Sequence, residues 1–178
     1  MILALYEHPD GVTIEHGPRV VYDLDRGDAS LGAARVDGPA LVWELMVDRE
    51  GAALAAEVDL DPAIDWVVRC DLVDFPPGSV AYWHVHPGPG IRRLLFGALT
   101  VDTEEGTKTY LGGEAWFEGA DYAVLATASE SEDTAFVRVL LLPQAWRGKR
   151  TIRYLDPADE ERPKLQRATI LLEEPFEL

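Results

Sequence analysis

The feature that most constrains this chain is a short segment, residues 78–97, that holds two histidines one residue apart and a turn rich in proline and glycine. Because successive side chains of a β-strand point to opposite faces, His84 and His86 are predicted to share one face, together with Tyr82. The run Pro87-Gly88-Pro89-Gly90 cannot continue a paired strand, since proline has no amide donor and glycine favours turns. The segment is therefore predicted to form a hairpin with two imidazoles near its turn, and such a pair is able to chelate a metal.

The spacing of this segment resembles the first sequence motif of the cupin superfamily, in which a glycine, a His-x-His pair, a glutamate and a second glycine follow one another. Gly78, His84, His86 and Gly97 match at those spacings, whereas Gly90 stands where the motif has its glutamate. The resemblance implies a jelly-roll β-barrel. It also implies a divalent metal bound by the two histidines, the glutamate and a histidine of a second motif.

The second cupin motif is recognisable mainly by its position in the chain. Gly113 matches its first glycine, but Val124 stands in the histidine slot and Ala128 in the asparagine slot. The resemblance covers residues 67–143. Two of the four ligands that it implies are therefore absent.

The rest of the chain is patterned as short strands separated by glycine and proline turns. Residues 66–73 alternate as a half-buried strand does, residues 135–142 form a nearly continuous apolar run, and residues 40–47 are also strand-like. The alanine-rich residues 51–57 are compatible with one or two helical turns. No segment has the pattern of a long amphipathic helix. We therefore predict an all-β fold.

The predicted architecture is a single cupin-like β-sandwich, or jelly roll, with N- and C-terminal strand extensions. Residues 1–60 are expected to form an N-terminal β arm packed on the core, residues 61–145 the barrel, and residues 146–178 a C-terminal extension. All three belong to one structural domain. The resemblance to cupins implies pairing through sheet edges, and the apolar strands in both arms need cover, so a homodimer is predicted.

Composition excludes several classes of partner. The chain has 16 basic and 32 acidic residues, for a net charge of −16. That charge repels phosphate backbones and anionic lipids, so neither nucleic acid nor a membrane is expected as a partner. The start of the chain lacks the basic segment of a secretory signal, and a cytoplasmic location is expected. Cys70 lies among valines and leucines and is expected to be a small core residue.

A metal on His84 and His86 needs at least a third protein ligand, and Glu118 is the candidate. It lies in the strand that corresponds to the second motif, with Trp116 on the same face. A site with two histidines and one carboxylate suits a divalent transition metal such as Fe, Mn, Zn or Ni. The alternative is that the histidines line a pocket without metal and that Glu118 is on the surface.

Counting from the glutamate slot of the cupin motif that the segment resembles, Arg92 has the inward parity of its strand. A buried arginine is costly unless paired, so it is expected to bind Glu118 or an anionic group of a ligand. The alternative is a surface arginine at the strand end, and Arg138 poses the same question. Tyr82 and Trp116 are expected to form walls of the pocket and, with Arg92, to contact the substrate.

Three hypotheses of function follow, and the sequence assigns no catalytic residue. The first is a metal-dependent enzyme, of the oxygenase or isomerase type that the resemblance permits, acting on a small anionic molecule. The second is a small-molecule-binding or regulatory protein without catalysis and without a tight metal site. A third hypothesis is an assembly role with a vestigial pocket. The sequence has no phosphate-binding loop, so no nucleotide cofactor is expected.

Overall fold

The computed structural model describes residues 1–45 and 49–176, and it is almost entirely β, which confirms the predicted fold class. The strands are β1 (Ile2–His8), β2 (Val12–Ile14), β3 (Arg19–Asp23), β4 (Asp28–Leu31), β5 (Ala34–Val36), β6 (Ala40–Leu45), β7 (Leu54–Glu57), β8 (Trp66–Phe75), β9 (Val80–Val85), β10 (Gly90–Phe96), β11 (Ala98–Thr103), β12 (Gly106–Leu111), β13 (Ala115–Glu118), β14 (Val124–Ala128), β15 (Thr134–Pro143), β16 (Arg153–Tyr154) and β17 (Arg167–Phe176). Two short 3₁₀ helices, Gln144–Trp146 and Pro157–Glu161, flank β16. In the described part of the chain, no helix is long and apolar enough to cross a membrane.

Fifteen of the described strands form three five-stranded antiparallel sheets that pack as layers, and β2 and β5 pair in a separate two-stranded sheet. The N-terminal sheet has the order β4-β3-β6-β1-β7, the middle sheet β13-β10-β15-β8-β17, and the outer sheet β12-β11-β14-β9-β16. One apolar cluster joins the N-terminal sheet to the middle sheet, and a second joins the middle sheet to the outer sheet. The middle and outer sheets are the two halves of the predicted sandwich, and the C-terminal strands complete both of them.

Strand β15 of the middle sheet is buried on both faces, which explains its continuous apolar run. Val137 and Val139 pack toward the N-terminal sheet, whereas Phe136 packs toward the outer sheet. The same holds for β8, so its prediction as a half-buried strand is wrong: both Arg69 and Asp71 are buried. The N-terminal sheet covers the apolar face of β8, with Trp66, Val68 and Cys70, so the face with Arg69 and Asp71 is turned toward the outer sheet.

Cys70 of β8 lies in the apolar cluster between the N-terminal and middle sheets, which confirms it as a core residue. Burial raises the pKa of its thiol. A buried neutral thiol is not a nucleophile.

Two local predictions in the N-terminal arm need comment. The alanine-rich segment is not helical, because β7 completes the edge of the N-terminal sheet by pairing with β1. Sheet pairing here overrides the helix propensity of alanine, which is a weak preference. The strand predicted over residues 40–47 is observed as β6 up to Leu45, and residues 46 and 47 lie outside the described residues.

The predicted hairpin of β9 and β10 is wrong, because the two strands belong to different sheets. The Pro-Gly turn instead carries the chain from the outer sheet to the middle sheet. Its backbone lies against β15, where the amide of Leu141 donates to the carbonyl of Pro89 at 2.9 Å. Gly97 makes the return crossing with a φ of 79°, a left-handed conformation that favours glycine. The glycine of the motif is therefore a corner between the two sheets.

The C-terminal strand β17 is the last described strand of the middle sheet, and its Ile170 is exposed. Pairing of two copies through such an edge is the form that the predicted homodimer would take. That dimer stays a prediction.

Candidate functional site

A cavity of about 340 Å³ lies between the middle and outer sheets. Its apolar part is lined by side chains of the second cluster, among them Phe75, Leu99 and Phe136. Its polar part holds both histidines of the sequence motif. The cavity is therefore amphiphilic, since its lining combines apolar side chains with charged ones.

His84 and His86 both line this cavity, with ring centroids 5.0 Å apart and ring planes at 82°. His84 Nδ1 lies 2.7 Å from the backbone oxygen of Tyr82. Because a carbonyl oxygen only accepts, Nδ1 carries the proton and Nε2 is left as a proton acceptor. Burial lowers the pKa of His84, so its imidazole is neutral at pH 7.

His86 has both ring nitrogens engaged. Its Nδ1 donates to the backbone oxygen of Thr151 at 3.2 Å, and its Nε2 accepts from Arg138 Nη1 at 3.2 Å. The two contacts require the same tautomer, since a guanidinium only donates. Burial first, and then the Arg138 charge, hold the pKa of His86 well below its ordinary value.

The neutral histidines make stability depend on pH. Their pKa values are lowered in the folded state, so between those values and about pH 6.5 the unfolded chain binds more protons. The free energy of unfolding should therefore be constant with respect to these groups above about pH 6.5 and fall as the pH drops below it. Urea titrations from pH 7.5 to 5 should show a smaller fall in His86→Gln than in the wild type. An equal fall would contradict the burial of a neutral His86.

Arg92 and Glu118 form a buried ion pair, which is one of the two partners predicted for Arg92. Arg92 Nη2 lies 2.7 Å from Glu118 Oε2, a close contact without hydrogen-bond alignment, and Nη1 donates to the oxygen of Gly90 at 2.7 Å. Trp116 Nε1 donates to Glu118 Oε1 at 2.8 Å. Burial lowers the pKa of Arg92 to about 10, and Glu118 opposes the shift. The surface alternatives for Arg92 and Glu118 are therefore wrong.

Trp116 lines the cavity as predicted, stacked on Tyr110 at 4.7 Å and edge-on to Phe136 at 5.3 Å. Tyr82 does not share the face of His84. In the register of β9 with β14, Val124 pairs with His84 and Ala126 pairs with Ala81, so β9 carries an extra residue. This β-bulge reverses the alternation between Ala81 and His84.

As a result Tyr82 lies outside the described lining of the cavity. Its ring is covered instead by the guanidinium of Arg162, 4.6 Å from the ring centroid. A side chain in that position is turned away from the histidines. Tyr82 contributes to the site only through its backbone oxygen, which orients His84.

The sequence analysis missed a buried network beneath the histidines. Asp71 is 0% exposed; its Oδ1 accepts from Arg69 Nε at 2.8 Å, and its Oδ2 accepts from Arg138 Nε at 3.0 Å. Arg138 and Asp71 are directly opposite each other on paired strands. Two of the three charged residues of β8, Arg69 and Asp71, were the available signal. They were missed because that strand was taken to have a solvent face.

The predicted metal ligands do not fit a three-ligand site. Among residues 1–45 and 49–176, no group of three His, Cys, Asp or Glu side chains is placed to hold an ion. His86 Nε2 is taken by Arg138, and Glu118 is taken by Arg92 and Trp116. Of the three predicted ligands, His84 is the one that keeps a free ligand atom. This atom is Nε2, because Nδ1 faces the backbone oxygen of Tyr82.

Gly90, which stands in the glutamate slot of the motif, has no room for a side chain. A Cβ there would lie 2.3 Å from the backbone oxygen of Val139 and 2.7 Å from Leu140 Cδ2. A glutamate would therefore force β10 and β15 apart. The missing ligand is excluded by the packing of the backbone.

Gly90→Ala should lower the free energy of unfolding by about 1–3 kcal/mol, the usual cost of overpacking. Urea denaturation measures this value. Gly119→Ala is the matched control, because its added methyl would meet nothing closer than 3.9 Å, and its effect should stay within about 0.5 kcal/mol. Equal stability of the two variants would show that β10 and β15 separate easily.

The charged lining of the cavity is opposite in sign to the protein as a whole. Five basic side chains line it, namely Arg69, Arg92, Arg138, Arg150 and Lys164, against a single acid among the described lining residues, Glu118. Arg150 and Lys164 come from the C-terminal segment, where both lie over the ring of Tyr154. A chain with a net charge of −16 thus concentrates cations at one cavity.

No protein-family model matches the chain, and a search of curated proteins finds no match. Among solved structures, it is similar to a cupin domain from Bordetella pertussis Tohama I at 20% identity, with 48% of this chain and 86% of that chain covered and a TM-score of 0.37. It is also similar to the polyketide cyclase RemF from Streptomyces resistomycificus at 16% identity, covering 49% and 61% with a TM-score of 0.40. A third similar structure is an RmlC-like cupin from Shewanella frigidimarina NCIMB 400, at 13% identity, 49% and 83% coverage and a TM-score of 0.40.

Each of these similarities covers about half of this chain. The motif spacing of the sequence agrees with the two facing antiparallel sheets, which enclose the histidine pair. The two facing sheets form a β-sandwich around the histidine pair.

Proposed function

We propose that this cupin-like protein binds a small anionic molecule with an apolar, ring-sized body in the cavity between the middle and outer sheets. The observation that carries the proposal is the lining of five basic side chains and one acid within a strongly acidic protein. Asp71 and Glu118 pair with three of these arginines, and Glu160 pairs with Arg150 and Lys164, so the lining offers an anion oriented N–H donors rather than a large excess of positive charge.

The apolar part of the cavity supports a ligand with a hydrophobic body. Trp116 and Phe136 lie side by side on its wall and present aromatic surface. The volume of about 340 Å³ is roughly twice that of the ~150 Å³ cavity that holds benzene in an engineered protein. A molecule with two fused rings and one acidic group matches the volume of the cavity and its combination of apolar and charged lining.

Arg138 is the side chain best placed to receive the acidic group. A guanidinium has five N–H donors, and Arg138 directs one to His86, one to Thr151 and two toward Asp71. One donor of Nη1 is left for a ligand. Because the carboxylate of Asp71 holds the guanidinium in place, little ordering of the side chain is needed on binding.

Calorimetric titration with 2-naphthoate and 2-naphthamide tests the proposal, because the two probes differ mainly in charge. The protein is first treated with a chelator. We expect 2-naphthoate to bind one site and to bind it at least tenfold more tightly than the amide. Equal affinities, or no binding of either probe, would overturn the proposal.

A second candidate function, proton transfer on the bound molecule, is favoured by His84. Its Nδ1 donates to a carbonyl, so the neutral ring presents Nε2 as a base. With phenylpyruvate, Nε2 would accept a proton from the methylene group while the electron pair moves to the keto oxygen. Exchange of that methylene in D₂O, followed by NMR, should be faster with the wild type than with His84→Gln. An unchanged rate would leave binding alone as the function.

A further inference from the structure

The guanidinium of Arg138 lies at the lone pair through which His86 would bind a metal, and we infer that this arginine replaces a divalent ion in the cavity. The histidine pair and Arg138 then form a site with a fixed organic cation. The role of that cation as the anchor of an anion rests on the proposed function. The inference that Arg138 replaces a metal ion does not depend on the proposed function.

The position of Arg138 is fixed from three sides. Its Nε and Nη2 lie 3.0 Å and 2.9 Å from Asp71 Oδ2, and its Nη2 donates to Thr151 Oγ1 at 3.4 Å. Asp71 in turn is held by Arg69. The guanidinium cannot swing away from His86 without leaving a buried carboxylate short of a partner, which is costly.

The imidazole of His86 is fixed from the other side. Thr151 accepts from Nδ1 with its backbone oxygen and accepts from Arg138 with its hydroxyl. One residue thus sets both the orientation of the ring and the position of the cation that meets it. The contact of Arg138 with His86 Nε2 is therefore fixed by the surrounding hydrogen bonds.

Electrostatics disfavour a metal beside this arrangement. A divalent ion shared by both rings would lie next to the charge of Arg138, and like charges at such short range repel strongly in a buried site. Glu118 offers little compensation, since it already pairs with Arg92 and accepts from Trp116. The glutamate of the cupin motif is excluded at Gly90.

Zinc titration tests the replacement without any organic ligand. The titrations are run with excess Mg²⁺, which occupies surface carboxylates, on the wild type, Arg138→Met, Arg150→Met and the double variant Arg138→Met/His86→Ala. We expect Arg138→Met to bind one zinc at least tenfold more tightly than the wild type, because it frees His86 Nε2. The gain should be lost in the double variant.

Arg150→Met is the matched control, because Arg150 also lines the cavity but pairs with Glu160 rather than with a histidine. It should behave as the wild type does. Tight zinc binding by the wild type, or no gain in a folded Arg138→Met, would overturn the inference. If Arg138→Met does not fold, ¹⁵N NMR of the wild-type imidazoles at pH 7.5 decides the question.

In that spectrum, an Nδ1-protonated His86 whose shifts do not move with zinc supports the inference. An Nε2-protonated ring, or shifts that follow zinc, would refute it. Failure of the inference that Arg138 replaces a metal ion is distinguishable from failure of the proposed function. Loss of 2-naphthoate binding bears on the anionic ligand, whereas zinc affinity bears only on the relation of Arg138 to the histidines.

Discussion

Asp71→Ala is expected to lower the free energy of unfolding by about 3–5 kcal/mol, which is the usual effect of removing one partner from a buried ion pair. The carboxylate is 0% exposed and is shared by Arg69 and Arg138, both of which are buried. Its removal leaves the buried Arg138 without its carboxylate partner and Arg69 with Glu173 at 3.6 Å. That loss is a large fraction of the 5–15 kcal/mol that stabilises an ordinary domain.

Urea denaturation followed by circular dichroism measures this effect. Asp37→Ala is the matched control, because Asp37 also pairs with an arginine, Arg35, but both side chains are largely exposed, at 82% and 74%. An exposed pair contributes at most about 1 kcal/mol. A similar small loss in both variants would show that water reaches the Asp71 network.

Arg138→Met is expected to weaken the binding of 2-naphthoate by about 10- to 100-fold, since a hydrogen bond to a charged group contributes about 1.5–3 kcal/mol. The methionine keeps the apolar stem of the side chain, so 2-naphthamide should lose less than about threefold, well under 1 kcal/mol. Calorimetry with both probes separates the lost charge from lost packing.

Arg153→Met is the control for this prediction. Arg153 pairs with Asp121 on the surface and lies outside the described lining of the cavity. Its replacement should leave both affinities unchanged. Equal losses of the acid and the amide in Arg138→Met would mean that Arg138 shapes the cavity without anchoring the anion.

The sequence predicted what depends on local alternation and on the motif spacing. The all-β fold and the burial of His84, His86 and Trp116 at one cavity follow from period-two patterning. The inward position of Arg92 followed from parity, and its pairing with Glu118 from the cost of burying a lone charge.

The failures come from relations between strands that are distant in sequence. Tyr82 was misplaced because one extra residue in β9 reverses the alternation, and a bulge is set by the partner strand. The hairpin was wrong because the turn at Pro89 packs on β15 and crosses between sheets. Asp71 was overlooked because the N-terminal sheet covers the apolar face of β8, which leaves the face with Asp71 turned toward the outer sheet and not toward water.

The most direct test of the account is a crystal structure of the complex with 2-naphthoate, grown from protein treated with a chelator. We predict that the carboxylate lies within hydrogen-bond distance of Arg138 Nη1 and that the rings pack against Trp116. A carboxylate bound elsewhere, or held by an ion on His84 and His86, would contradict the central claim that this cavity receives its anion through a fixed arginine.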